Sequence, residues 1–100
     1  MHILFFDTET NGLPHVRRAP VELVENWPNI VQIAWQVLDM SGEKPHVLKR
    51  VSYIIKPSEE RQWDAKSESI HGITKDRALA EGFAGKDVFG EFHKIAQLVL

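Results

Sequence analysis

Asp7 and Glu9 are the residues of this chain best placed to do chemistry. They close a run, Ile3-Leu4-Phe5-Phe6, whose residue types favour a buried strand. Side chains alternate faces along a strand, so positions i and i+2 project the same way. Two carboxylates on one face at a strand's end are a natural seat for a hard divalent cation such as Mg²⁺, which prefers oxygen ligands. Thr10, Asn11, Gly12 and Leu13 then turn the chain away.

The elements that must position these carboxylates can be read from the pattern around them. A first strand is expected over His2 to Asp7, followed by a long loop over 8–29 that contains Pro14, Pro20 and Pro28. Loops beyond about 12–15 residues in a compact domain are usually functional or flexible, and this one leaves directly from the two acids. Arg17 and Arg18 lie in it, either as contacts for a phosphate backbone or as solvated loop residues. Ile30 to Asp39 alternates with period two: Val31, Ile33, Trp35 and Val37 form one apolar face, opposite Gln32, Ala34 and Gln36. Met40 to Pro45 reads as a turn, and His46 to Lys56 as a third strand that completes an antiparallel hairpin. Pro57 ends it, because proline has no N–H for the ladder.

Helices follow. Asp64 suits the cap of a short helix ending near His71, with Gly72 in the left-handed position after it. Thr74 suits the cap of a second, stopped near Gly82. From about Asp87 to Leu100, Val88, Phe89, Phe92, Ile95, Ala96 and Val99 make a wide apolar stripe at helical spacing. The chain stops inside that helix without a cap, which raises the expectation that it is part of a longer one.

Composition narrows the classes. One domain at most fits in 100 residues, and 43% hydrophobic with 26% charged residues is ordinary for a globular protein. A net charge of -2 gives no bulk attraction to polyanions. Any nucleic acid would have to be held locally or through a metal. The absence of cysteine excludes a disulfide framework, a thiolate metal site and a cysteine nucleophile. Ile3 to Phe6 is too short for a signal peptide or a membrane span, so a cytoplasmic protein without a membrane partner is expected.

The run Asp7-Thr8-Glu9-Thr10-Asn11-Gly12 also matches the opening of an EF-hand calcium loop. That reading fails, because position 12 of the loop would be Arg18 instead of a bidentate Glu, and a strand precedes it instead of a helix. Taken with Ile3 to Phe6 before it and Thr-Asn-Gly-Leu-Pro after it, Asp7-x-Glu9 resembles the first exonuclease motif of the DEDD superfamily. The similar branch is that of the proofreading epsilon subunit of bacterial DNA polymerase III (DnaQ-like). Ile30-Val31-Gln32-Ile33-Ala34 looks like that family's second strand. Ile70-His71-Gly72-Ile73-Thr74 looks like its His-Gly-Ile turn, and the stripe after residue 86 like the helix before its second motif. The resemblance runs through the whole chain in order.

The resemblance implies the N-terminal half of a ribonuclease H-like α/β fold: a three-stranded antiparallel sheet, order 3-2-1, followed by helices. It implies a metal-dependent 3′–5′ exonuclease that removes mononucleotides from DNA 3′ ends. In two-metal nucleases, ions about 3.5–4 Å apart clamp the scissile phosphate and activate water. On that pattern, Asp7 bridges both Mg²⁺ or Mn²⁺ ions and Glu9 binds the one that holds the water. Thr10, Asn11, Gly12 and Leu13 meet the terminal nucleotide, with backbone amides near the 3′ end and Leu13 against a base.

The chain departs from the pattern in one large respect. The family's second motif (Asn-x-x-Phe-Asp) and third motif (His-x-x-x-x-Asp, which carries the general base) are absent. Residues 1–100 are thus a partial exonuclease domain. Two divalent ions bring four positive charges, of which Asp7 and Glu9 offset two. One ion bound loosely through water is the most these acids should hold, and inactivity alone is expected. Asp39, Asp64, Asp76, Asp87 and Glu91 read as turn, cap or surface residues. His71 reads as a helix-end residue and His93 as a boundary residue, while Trp27, Trp35 and Trp63 read as core or loop anchors.

The expected partners are a single-stranded or frayed DNA 3′ end and a DNA polymerase subunit. In the complete fold, parallel strands would extend the sheet beyond strand one; here strand one is expected as an unpaired apolar edge open to self-association. Two alternatives stand beside this reading: an exoribonuclease of the same superfamily, and a non-catalytic docking module.

Overall fold

The structure, a computed structural model, describes residues 1–99 apart from the side chain of Val24. Three strands form one antiparallel sheet: β1 (His2–Thr10), β2 (Ile30–Asp39) and β3 (His46–Ile54), in the order β1-β2-β3. Three helices follow: α1 (Ala65–His71), α2 (Lys75–Glu81) and α3 (Gly85–Val99). Order and direction agree with the expected sheet.

β1 is longer than the sequence suggests. It runs past Asp7 to Thr10, because Thr8 and Thr10 are β-branched and pair with Ile33 and Ile30 of β2. The register shifts between Glu9 and Thr10, where the partners step from Gln32 to Ile30 and leave Val31 as an extra residue. Such a bulge bends its strand and frees backbone groups from the ladder. On the other edge of β2 the pairing is undisturbed at this point, and the Val31 carbonyl accepts from the Ile55 N–H at 2.8 Å in register with the β2–β3 ladder.

β3 is shorter than expected, ending at Ile54 instead of Lys56. The segment after α2 takes over its next partners: Phe83 N–H donates to the Ile54 carbonyl at 2.8 Å, and Lys56 N–H to the Phe83 carbonyl at 2.9 Å. This close approach requires Gly82. A Cβ there would collide with the Ala78 carbonyl and lie 2.6 Å from the Lys56 nitrogen.

The alternation of β2 decides where the core lies. Val31, Ile33, Trp35 and Val37 are all buried. Ile33, Trp35, Ile55 and Val88 form the main cluster, with Leu4, Phe92 and Ile95 packed on it. A second cluster of Val31, Ile73 and Ala78, with Ile54 and Trp63 around it, lies under α1 and α2. The α3 stripe therefore covers one face of the sheet. That helix starts at Gly85, earlier than the expected Asp87, and Leu100, its expected end, lies outside the described residues. Glu91 ties its flank to β3, accepting from the Tyr53 hydroxyl at 3.0 Å and pairing with Lys49 at 3.3 Å. This bond to a carboxylate raises the Tyr53 pKa.

Both short helices are capped as expected. The Asp64 carboxylate accepts from Ser67 N–H and the Thr74 hydroxyl oxygen from Arg77 N–H. Gly72 follows α1 in the left-handed region. His71 acts differently from the sequence expectation: its Nδ1 accepts from the Ile73 N–H at 2.9 Å instead of facing helix carbonyls. The connection between β1 and β2 is organised by Asn26, which is buried and bonds both the N–H and the carbonyl of Val16. Among the described residues no helix is long and apolar enough to cross a membrane.

Candidate metal centre

The pairing register assigns the faces of β1. Leu4, Phe6 and Thr8 stand opposite Val37, Trp35 and Ile33, the core face of β2. Phe6 meets Phe92 of α3 edge-on, with ring centroids 5.1 Å apart. By alternation, Phe5, Asp7 and Glu9 project from the other face, away from α3. Asp7 lies opposite Ala34, and Ser52 of β3 lies beyond; Glu9 lies opposite Gln32. Sequence periodicity placed the two carboxylates together. Which face they share was decided by the packing of Phe6 on Phe92.

Asp7 is exposed and Glu9 half-buried. The face around Asp7 is a shallow depression of about 550 Å³, lined by Phe5, Ala34, Gln36, Arg50 and Ser52. Arg50 lies in that lining, and its Nε donates to Gln36 Oε1 at 3.0 Å. Among the described residues neither Asp7 nor Glu9 forms a salt bridge. Both carboxylates are left with free lone pairs, roughly 6.5–7 Å apart along the strand by its rise per residue. That suits the joint binding of one hydrated hard cation, directly or through its waters.

Among the described residues, no group of three or more His, Asp or Glu side chains converges here or elsewhere. Two carboxylates fit one hydrated ion; by themselves they do not fit a pair, because half the positive charge would be left without compensation. The histidines supply no further ligand: His2 lies at the far end of β1 on the face of Leu4 and Phe6, His15, His46 and His93 are exposed on other segments, and His71 is engaged with Ile73.

The turn after the carboxylates is held more firmly than its sequence implies. Asn11 N–H donates to the Asn29 carbonyl at 2.9 Å. Asn11 Nδ2 donates to the Gln62 carbonyl at 2.8 Å, and its Oδ1 accepts from Asp64 N–H at 2.7 Å. Gly12 N–H donates to Ser67 Oγ at 2.8 Å, and Ser67 Oγ in turn donates to Asp64 Oδ2 at 2.7 Å. Gly12 has φ 104°, a conformation that side chains strain. The Thr10 hydroxyl closes the turn on the Gly12 carbonyl at 3.0 Å.

The backbone amides of Asn11 and Gly12 therefore already have protein partners, and Leu13, 80% exposed, is the free tip of the turn. Beside it runs a cleft of about 920 Å³ between the β1–β2 loop and residues 58–64, with His15, Trp27, Arg61, Trp63 and Asp64 in its walls. Trp27 is anchored in the loop through Nε1 to the Pro20 carbonyl, and Trp63 through Nε1 to the Ile73 carbonyl. Ser67 was not singled out by the sequence. Only its distance of three residues from the Asp64 cap hinted at a role.

No family model matches the chain, and no curated protein matches it. Two solved structures are similar. A product-bound structure of exonuclease I matches with a TM-score of 0.70 and 22% identity, over 94% of this chain and 19% of that one. A crystal structure of cell-death related nuclease 4 matches with a TM-score of 0.66 and 19% identity, over 99% of this chain and 31% of that one. The chain thus spans less than a third of either neighbour. The shared architecture, a three-stranded antiparallel sheet followed by three helices, is the N-terminal part of a ribonuclease H-like exonuclease fold.

Proposed function

We propose that this chain carries part of the site of a metal-dependent 3′–5′ exonuclease of the DEDD superfamily, of the proofreading type, acting on single-stranded or frayed DNA 3′ ends. The observation that carries this reading is the pair Asp7 and Glu9: unpaired carboxylates on one open sheet face, at the end of the strand that leads into the Leu13 turn. Its fold neighbours, an exonuclease and a nuclease, support the same class of chemistry.

Bound Mg²⁺ or Mn²⁺ would supply charge neutralisation and an activated water in such a site. The chain's own residues have narrower tasks. Asp7 and Glu9 offer the oxygen ligands. Thr10 and Gly12 shape the turn, and Asn11 fixes it. Leu13 projects an apolar contact of the kind a terminal base could stack against. With two carboxylates and no general base beside them, residues 1–100 bind an ion weakly and do not turn over alone. A DNA polymerase subunit is the proposed protein partner and the cytoplasm the proposed compartment.

The test is an NMR titration of the chain with a short single-stranded DNA in the presence of Mg²⁺. A 3′-hydroxyl oligonucleotide is expected to shift the Leu13 and Glu9 resonances, and Asp7→Ala to abolish the response. Shifts confined to other surfaces would refute the reading. Release of mononucleotides by this chain alone, lost in Asp7→Ala, would refute the inactivity. A non-catalytic docking module is the second reading. It is favoured by the exposed Phe5 on the open face, and it requires the oligonucleotide to have no effect at Glu9.

A further inference from the structure

Three hydrogen bonds join the Asn11–Gly12 turn to the segment Gln62–Ser67 across 51 to 55 residues of sequence, and a fourth, from Ser67 Oγ to Asp64 Oδ2, ties that segment to the helix cap. They connect the strand that bears the carboxylates to the first turn of α1. Resting on the metal-site reading above, we propose that Asn11 and Ser67 are positioning residues: they lock the end of β1 against α1, and so fix where Glu9 and the Leu13 tip stand.

Three observations converge on this. Asn11 has both ends of its amide engaged with backbone, which fixes its orientation. Ser67 Oγ accepts from Gly12 N–H while donating to Asp64, so a single hydroxyl links the turn to the helix cap. The lock also sits next to a weak point. The β1–β2 register shifts between Glu9 and Thr10, and only the Thr10–Ile30 pair and the Asn11 N–H to Asn29 carbonyl bond continue the pairing past it. The side-chain brace adds to that short stretch of pairing. With the Asn11 and Gly12 N–H groups bonded within the protein, Leu13 is the most exposed group that the turn presents to a ligand. An apolar, base-facing contact at Leu13 is the part of the implied recognition that this arrangement favours.

The experiment is amide hydrogen exchange and Mn²⁺ line broadening by NMR on the chain itself. Ser67→Ala is expected to speed Gly12 exchange about 5- to 10-fold, the effect of one lost hydrogen bond, while Ile33 and Trp35 stay protected. It should also weaken Mn²⁺ broadening at Glu9 severalfold relative to Asp7. Ser67→Thr, which keeps the hydroxyl, should restore both. Asn11→Ala should reproduce the Glu9 effect without touching Ser67. Unchanged Gly12 exchange in Ser67→Ala overturns the lock. Faster exchange with an unchanged Glu9-to-Asp7 ratio overturns the positioning role and leaves a structural one. If Mn²⁺ broadens neither residue in the unsubstituted chain, the metal-site reading fails and the positioning role falls with it. The exchange rates then still report the hydrogen bonds separately.

Discussion

Asp7, Glu9 and Gly12 show how far single residues can be read. The spacing of the two acids was enough to put them on one face, because strand alternation is a property of the backbone. Their solvent-facing side was not legible, because it depends on Phe6 finding Phe92, a contact between residues 86 positions apart. Gly12 read as a turn residue, and its φ of 104° supports that. The space around it is open, so Gly12→Ala meets only the backbone penalty of a left-handed conformation. A destabilisation of roughly 1–2 kcal/mol is expected, checked by urea denaturation of the two proteins. A smaller loss would mean that the turn relaxes to negative φ and that the Gly12–Ser67 bond is dispensable.

At the scale of elements, the best-read features were those set locally. Asp64 and Thr74 cap helices through their own side chains, and Gly72 ends one, so a few neighbouring residues suffice to place both boundaries. The strand ends were read less well. β1 gained residues through pairing with β2, and β3 lost them to Phe83, and neither partner is a sequence neighbour. Asp64 also gives a pH dependence. Hydrogen bonds from Ser67 lower its pKa below the ordinary 3.8. A depressed folded-state value stabilises the folded form above the unfolded pKa, and that contribution is lost as pH falls through the folded value. Stability should therefore be flat with respect to this group above pH 5 and decline below about pH 4. In Asp64→Asn the acid-side decline should be shallower, measured by thermal melts across pH 2.5–6. An identical acid profile in the variant would remove Asp64 as its source.

The whole molecule leaves two apolar features facing outward. Phe5 is 52% exposed on the open face, and among the described residues β1 pairs only on its β2 side. A free edge of nine residues is a template for pairing with another chain. Concentration-dependent self-association is expected by sedimentation, and Phe5→Lys should weaken it. A monomer that resists concentration would count against the edge as an interface. The central claim, though, is that Asp7 and Glu9 form one half of a metal seat. An electron paramagnetic resonance titration with Mn²⁺ tests it most directly. One weak site is expected, abolished in Asp7→Asn and in Glu9→Gln, with the sheet intact in both. The Asp7 variant should change stability by no more than about 0.5 kcal/mol, since Asp7 is exposed and unpaired. Mn²⁺ binding that survives both substitutions, or no binding by the unsubstituted chain, would contradict it.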